Sequence, residues 1–183
     1  YKILKAAEQA VDEGIAEPIL LGDIELIKNM IQENNLELEG VEIIDARAAS
    51  ERARRDYFGS LLFEKRKRKG LTLFEAVRSM RDRNYFGAML VETGYADALI
   101  SGIARNYRNV IRPALQIIGM EEDAKQVAGM YIVESKKGPV FFADTTVNLN
   151  PTAEEIVDIT LLVNKTIQEL RITPKIALLS YSN

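Results

Sequence analysis

Apolar positions recur along this chain in two periods, and the switch between them marks its elements. Residues 2–13 follow helical three- and four-residue spacing and stop at Gly14, after which the short apolar run "EPILLG" (17–22) predicts a strand. Asp23 can cap a helix through "IELIKNMIQE", "VEIID" (41–45) predicts a second strand, and residues 50–69 predict a strongly charged helix ending at Gly70. Thr72 and Glu75 fit a capping box opening a helix to about Arg81, Asn84 fits the cap of another ending at Gly94, and "ADALISG" (96–102) predicts a third strand. Helix and strand alternate this far, which implies a parallel sheet flanked by helices. The rhythm then changes. "MYIVES" and "PVFFAD" around "KKG" predict an antiparallel hairpin, and Ile156, Ile159, Val163, Ile167 and Leu170 mark a long helix opened by Pro151 and the pair Thr152 and Glu155. "KIALLS" closes as a strand. The expected organisation is two α/β lobes, 1–112 and 113–183. Because the chain opens on a helix pattern without cap or initiator methionine and stops directly after a strand pattern, it is expected to be part of a longer polypeptide.

Composition narrows the chemistry. With 183 residues, 47% apolar, the chain can bury a core, and with neither cysteine nor histidine it offers no thiolate, disulfide or imidazole. Acid–base work would fall to Asp, Glu, Lys, Tyr or an activated Ser. No apolar run approaches the ~20 residues of a membrane span and no signal-peptide pattern precedes the first helix, so a cytoplasmic protein is expected. Residues 1–46 hold 11 acids and 3 bases, whereas 47–83 hold 12 bases and 5 acids; the overall net charge of −3 argues against a nucleic-acid partner.

Two basic stretches are candidate anion sites. Lys65-Arg66-Lys67-Arg68-Lys69 closes the charged helix, where it can be a solvated basic terminus complementing the helix dipole or a holder of phosphate groups. In "ISGIARNYRNVIRPALQIIG" (100–119), Pro113 fits best in a first helical turn, which would put Arg112 there beside free backbone N–H groups, with Asn106 or Asn109 as cap and Arg105 and Arg108 approaching from the loop. Guanidinium forks hold phosphate by paired hydrogen bonds; the alternative is a surface loop paired to the acidic N-terminal third. Asp144, beyond a strand end, reads equally as a cleft residue or as a turn cap, and Ser180 follows the last strand without distinguishing spacing.

Taken together, "ADALISG", "RPALQIIG", "FFADTTVNLNPTAEE" and "PKIALLSYSN" resemble the phosphate acetyltransferase/butyryltransferase family in the right order and over essentially the whole chain. The resemblance implies a two-lobed α/β fold, mainly parallel sheets flanked by helices with a cleft between the lobes, that binds acetyl-CoA and phosphate and forms a homodimer. It places Arg112 and Arg66 at positions that contact phosphate or coenzyme A, and Asp144 and Ser180 in the cleft. Within the family, "RDRNYFGAMLVETG", "ARNYRNVIRPALQIIG" and "LLSYSN" look most like the C-terminal domain of hybrid NADP-dependent malic enzymes. The family's His-Ser-Thr-rich segment before the "RPALQ" arginine is here Ala104-Arg105-Asn106-Tyr107-Arg108-Asn109, and its late Arg/Asp-bearing segment lies beyond Asn183. The resemblance therefore implies a non-catalytic, acetyl-CoA-binding regulatory domain with Arg105, Asn106, Tyr107, Arg108 and Arg112 at the ligand. It would sit in a larger homo-oligomer, with NADP and a divalent metal held by the domains that oxidise malate to pyruvate and CO2. The alternatives are an active phosphate acetyltransferase and an interaction or dimerisation module.

Overall fold

The computed structural model describes residues 1–103, 105–122 and 124–179. The chain divides into two compact units, Tyr1–Gly119 and Met120–Asn183. The boundary expected at residue 112 thus moves to residue 119, because one helix runs unbroken through Arg112.

The first unit opens with α1 (Lys2–Asp12), β1 (Ile19–Leu21), α2 (Ile24–Glu33) and β2 (Glu42–Ile44). β1 and β2 pair in parallel, Leu20 opposite Ile43, with α2 as the crossover that a parallel pair requires. Asp23 caps α2 as its spacing predicts, its carboxylate accepting the Leu26 N–H at 2.9 Å. Leu4 and Ala7 of α1 bury with Leu20 and Leu38 in a small core.

A second core gathers the helices α3 (Arg52–Arg66), α4 (Leu73–Ser79), α5 (Arg83–Glu92) and α6 (Tyr107–Ile117). Phe58, Leu62, Met80, Phe86, Met89 and Ile117 fill it, with Phe58 and Phe86 edge to face at 5.2 Å. The basic run leaves α3 as a short 3-10 turn, Lys67–Lys69, and Gly70 takes the left-handed conformation, φ +85°, that reverses the chain. Gly59 lets α3 and α4 cross closely, since a Cβ there would lie 2.6 Å from the Cα of Val77. Thr72 and Glu75 form the predicted capping box. The cap of α5 is Asp82, not the expected Asn84: Asp82 accepts the Asn84 N–H at 2.9 Å, and Asn84 is buried at the second position of the helix. Residues 96–102 join no ladder among the described residues; the Ala96 N–H turns back to Leu90 O at 3.1 Å. An alternating pattern becomes a strand only where another backbone supplies partners for its N–H and C=O groups.

The second unit holds the predicted hairpin, β3 (Met130–Ser135) and β4 (Gly138–Ala143), with Tyr131 opposite Phe142 and Val133 opposite Val140. Gly138, φ +105°, follows the two-lysine turn as the first residue of β4 rather than as part of the turn. The long helix α7 (Ala153–Glu169) begins at the expected capping box of Thr152 and Glu155, and buries Ile159 and Ile167 of its apolar stripe. Residues 175–179, read as a strand, pair with no strand among the described residues.

Candidate anion-binding groove

Two recesses on the first unit share Leu71, Glu75 and Gln116 and run together as a groove. The larger, about 610 Å³, is lined by Arg78, Ser79, Asp82, Tyr85, Asn109 and Arg112 among others; the smaller, about 230 Å³, adds Arg66, Lys69 and Gly70. Its walls are the end of α3, the helices α4 and α5, and α6. Lys65 fixes the far end of α6, donating to the Ile117 carbonyl at 2.9 Å while pairing with Glu92. That contact satisfies a terminal carbonyl that the helix itself leaves open.

Four cations line the groove, Arg66, Lys69, Arg78 and Arg112, and none has a carboxylate partner among the described residues. The two carboxylates on the walls are already committed. Glu75 accepts the Thr72 hydroxyl at 2.7 Å and its N–H at 3.0 Å, and these bonds hold its carboxyl below the usual glutamate range. Asp82 caps α5 and pairs with Arg105 at 3.8 Å. The groove is therefore short of negative charge, which is the electrostatic condition for holding an anion. Between the cations, the Tyr85 hydroxyl donates to the Gln116 side-chain oxygen at 2.6 Å. Burial pushes the phenol up, and Asp82 adds to this against the opposing pull of Arg112 and Arg66. Tyr85 is protonated at neutral pH and acts as a donor.

The structure brings Arg66 and Arg112 to this groove, whereas Arg105, Asn106, Tyr107 and Arg108 are not among its lining residues. Arg112 is the sixth residue of α6, not a first-turn residue, because α6 begins at Tyr107 and carries Pro113 in its interior. A proline there lacks the N–H that would reach the carbonyl four residues back, at Asn109. The Asn84 side chain supplies the missing donor, Nδ2 to Asn109 O at 2.9 Å, so the helix continues. Asn106 stands at the cap position without a side-chain cap bond, and Tyr107 and Arg108 lie exposed on the first turn. Arg105 pairs with Asp82, outside the acidic N-terminal third that the surface-loop reading named.

Asp144 sits in the second unit as the organiser of a turn. Its carboxylate accepts the N–H groups of Gly129, Thr146, Val147 and Asn148 at 2.7–3.2 Å, and the Asn148 amide at 2.6 Å. Burial alone would raise its pKa, but those backbone bonds outweigh burial and hold it below the usual aspartate range. Ser180 lies outside the described residues.

Sequence reasoning missed Arg78, Tyr85 and Gln116, and named Lys69 only as one of the basic run 65–69. Glu75, Arg78, Ser79 and Asp82 recur at three- and four-residue steps and could have marked one polar helix face. The pairing of Tyr85 with Gln116, 31 residues apart, leaves no local signal. Among the described residues no cluster of three Asp or Glu side chains suits a metal ion, and no helix is long and apolar enough to cross a membrane.

A family profile described as phosphate acetyl/butaryl transferase matches residues 1–183. A phosphate acetyltransferase of Clostridium acetobutylicum is 35% identical over 98% of this chain and 55% of its own length; one of Helicobacter pylori is 38% identical over 99% of this chain and 34% of its own. The chain thus spans about half or a third of these relatives. Among solved structures, the EutD phosphotransacetylase from Staphylococcus aureus is 30% identical with a TM-score of 0.82, covering 98% of this chain and 53% of its own. A phosphotransacetylase from Streptococcus pyogenes is 33% identical with the same score, covering 98% and 54%. These matches bear out the mixed α/β fold and overturn the expectation of a non-catalytic malic-enzyme regulatory domain. The relatives are phosphate acetyltransferases along nearly the whole of this chain, and none of those named here carries the malic-enzyme, oxidoreductase or NADP part of that reading.

Proposed function

Because the chain belongs to the phosphate acetyl/butyryl transferase family, we propose that the protein carrying it moves an acetyl group between coenzyme A and inorganic phosphate. In that reaction a phosphate oxygen attacks the thioester carbonyl, the new C–O bond forms as the C–S bond breaks, and the departing sulfur takes up a proton. Acetyl phosphate and free coenzyme A result. The observation that carries the reading is the groove in which Arg66, Lys69, Arg78 and Arg112 face one space without carboxylate partners.

On this reading the groove binds the phosphate groups of acetyl-CoA. Arg112 and Arg66 make forked, charge-assisted hydrogen bonds to them from α6 and the end of α3. Tyr85 and Gln116 form the neutral floor between the cations. Arg105, paired with Asp82, steadies the loop ahead of α6, and Asp144 shapes the turn after β4; neither is assigned a bond to the reacting atoms. The reaction calls for no cofactor besides its two substrates. A homodimer and a cytoplasmic location complete the proposal.

The test is phosphate-dependent release of free coenzyme A from acetyl-CoA by the intact protein, with acetyl phosphate followed in parallel. Stoichiometric appearance of both products is the expected result. Binding of acetyl-CoA without either product would overturn the transferase reading, and light scattering of the same sample tests the dimer.

A further inference from the structure

Asn84 is a buried polar residue in the first turn of α5, 5% exposed, and both ends of its amide are used. Its Nδ2 donates to the Asn109 carbonyl at 2.9 Å, and its Oδ1 accepts the Ser101 hydroxyl at 2.7 Å. These partners flank the segment leading into α6, and they lie 25 and 17 residues from Asn84 in sequence. Asn109 itself lines the groove, and Arg112 follows it one turn later. The Asn109 carbonyl is also the one orphaned by Pro113, so α6 has no donor of its own to hold that turn.

We propose that Asn84 is a positioning residue for the groove: one side-chain amide clasps Ser101 and Asn109 together, and thereby sets where Asn109 and Arg112 stand toward the ligand. This rests on the acetyl-CoA-binding reading for its effect on the ligand, but the clasp itself does not. A buried amide that satisfies two chain segments at once fixes their separation, because releasing either leaves a buried polar group unpaired. Asp82, two residues earlier, reinforces the clasp by pairing with Arg105 between the two held points.

The experiment uses the intact protein with Ser101→Ala, Ser101→Thr, Asn84→Ala and the double variant Asn84→Ala with Pro113→Ala. Amide hydrogen exchange across 101–112 and calorimetric titration with acetyl-CoA are read on each. Ser101→Ala should speed exchange roughly tenfold near Ser101, corresponding to one lost hydrogen bond, and weaken acetyl-CoA several-fold; Ser101→Thr, which keeps the hydroxyl, should restore both. Asn84→Ala should extend the faster exchange into the first turns of α6. Adding Pro113→Ala returns an N–H to the Asn109 carbonyl, so it should restore protection in α6 but not near Ser101. If Asn84→Ala does not fold, the two Ser101 variants decide alone. Unchanged exchange in Ser101→Ala overturns the clasp, and faster exchange with unchanged acetyl-CoA affinity overturns its positioning role. Should the unaltered protein bind no acetyl-CoA, the proposed function fails while the exchange measurements still decide the clasp.

Discussion

Arg112 and Arg78 reach the groove from different helices, and neither has a carboxylate partner among the described residues. Removing either guanidinium should therefore cost binding without freeing a buried acid. Arg112→Ala is expected to weaken acetyl-CoA by about 1.5–3 kcal/mol, the range for hydrogen bonds to charged groups, which is roughly ten- to a hundredfold in affinity. Arg78→Ala should weaken it in the same direction, and titration calorimetry checks both. If Arg78→Ala binds as the unaltered protein does, the ligand occupies only the part of the groove between Arg66 and Arg112. Residue-scale reading of the sequence named Arg66 from a basic run closing a helix and Arg112 from arginines clustered beside a proline-marked helix, both local patterns that the family resemblance reinforced. It did not name Arg78, whose own helix is unremarkable until α6 is placed across from it. For Asp144 the sequence left cleft residue and turn cap level, and the structure shows it bonded to four backbone N–H groups as a turn organiser.

At the scale of elements, the groove walls depend on how closely α3 and α4 cross. Gly59 permits that crossing, with Val77 backbone where a side chain would begin. Gly59→Ala should push the two helices apart, and overpacking of this kind costs about 1–3 kcal/mol. A thermal melt should show the loss, and acetyl-CoA affinity should fall with it because Arg66 and Arg78 ride on the two displaced helices. A variant that melts like the unaltered protein would mean that the crossing yields without strain. Elements with local signatures were legible in the sequence: the capping boxes at Thr72 and Thr152, the Asp23 cap and the two-lysine hairpin all stand where the spacing puts them. The start of α6 was legible only as one of two candidate caps: Asn106, which stands at the cap position, and Asn109, which Pro113 in a first turn would favour. The donor that lets the helix start at Tyr107 comes from another helix.

For the molecule as a whole, the uneven charge matters more than the net value of −3. Residues 47–83 carry half of the basic side chains, and that stretch supplies Arg66, Lys69 and Arg78 to one groove. Exposed cations of this kind are screened over about 10 Å at 0.1 M salt. Acetyl-CoA affinity should therefore fall several-fold as salt rises to about 0.5 M, whereas a ligand held by apolar contact would bind more tightly or unchanged. Titration across salt concentrations distinguishes the two. By itself the sequence determined the α/β class, the order of helices, the hairpin and the basic stretch that supplies the candidate groove, because caps, turns and hydrophobic periods are set by residues a few positions apart. It also carried the family resemblance, which the relatives bear out, while the malic-enzyme reading built on the likeness of three stretches, and the non-catalytic reading drawn from the segment 104–109, did not survive them. Tertiary structure alone decided which cations share a groove, that Glu75 and Asp82 are already engaged, that Tyr85 meets Gln116, and that Asn84 replaces the hydrogen bond Pro113 cannot make. The physical reason is that each of these depends on where separate helices come to rest, and no local pattern encodes the distance between them.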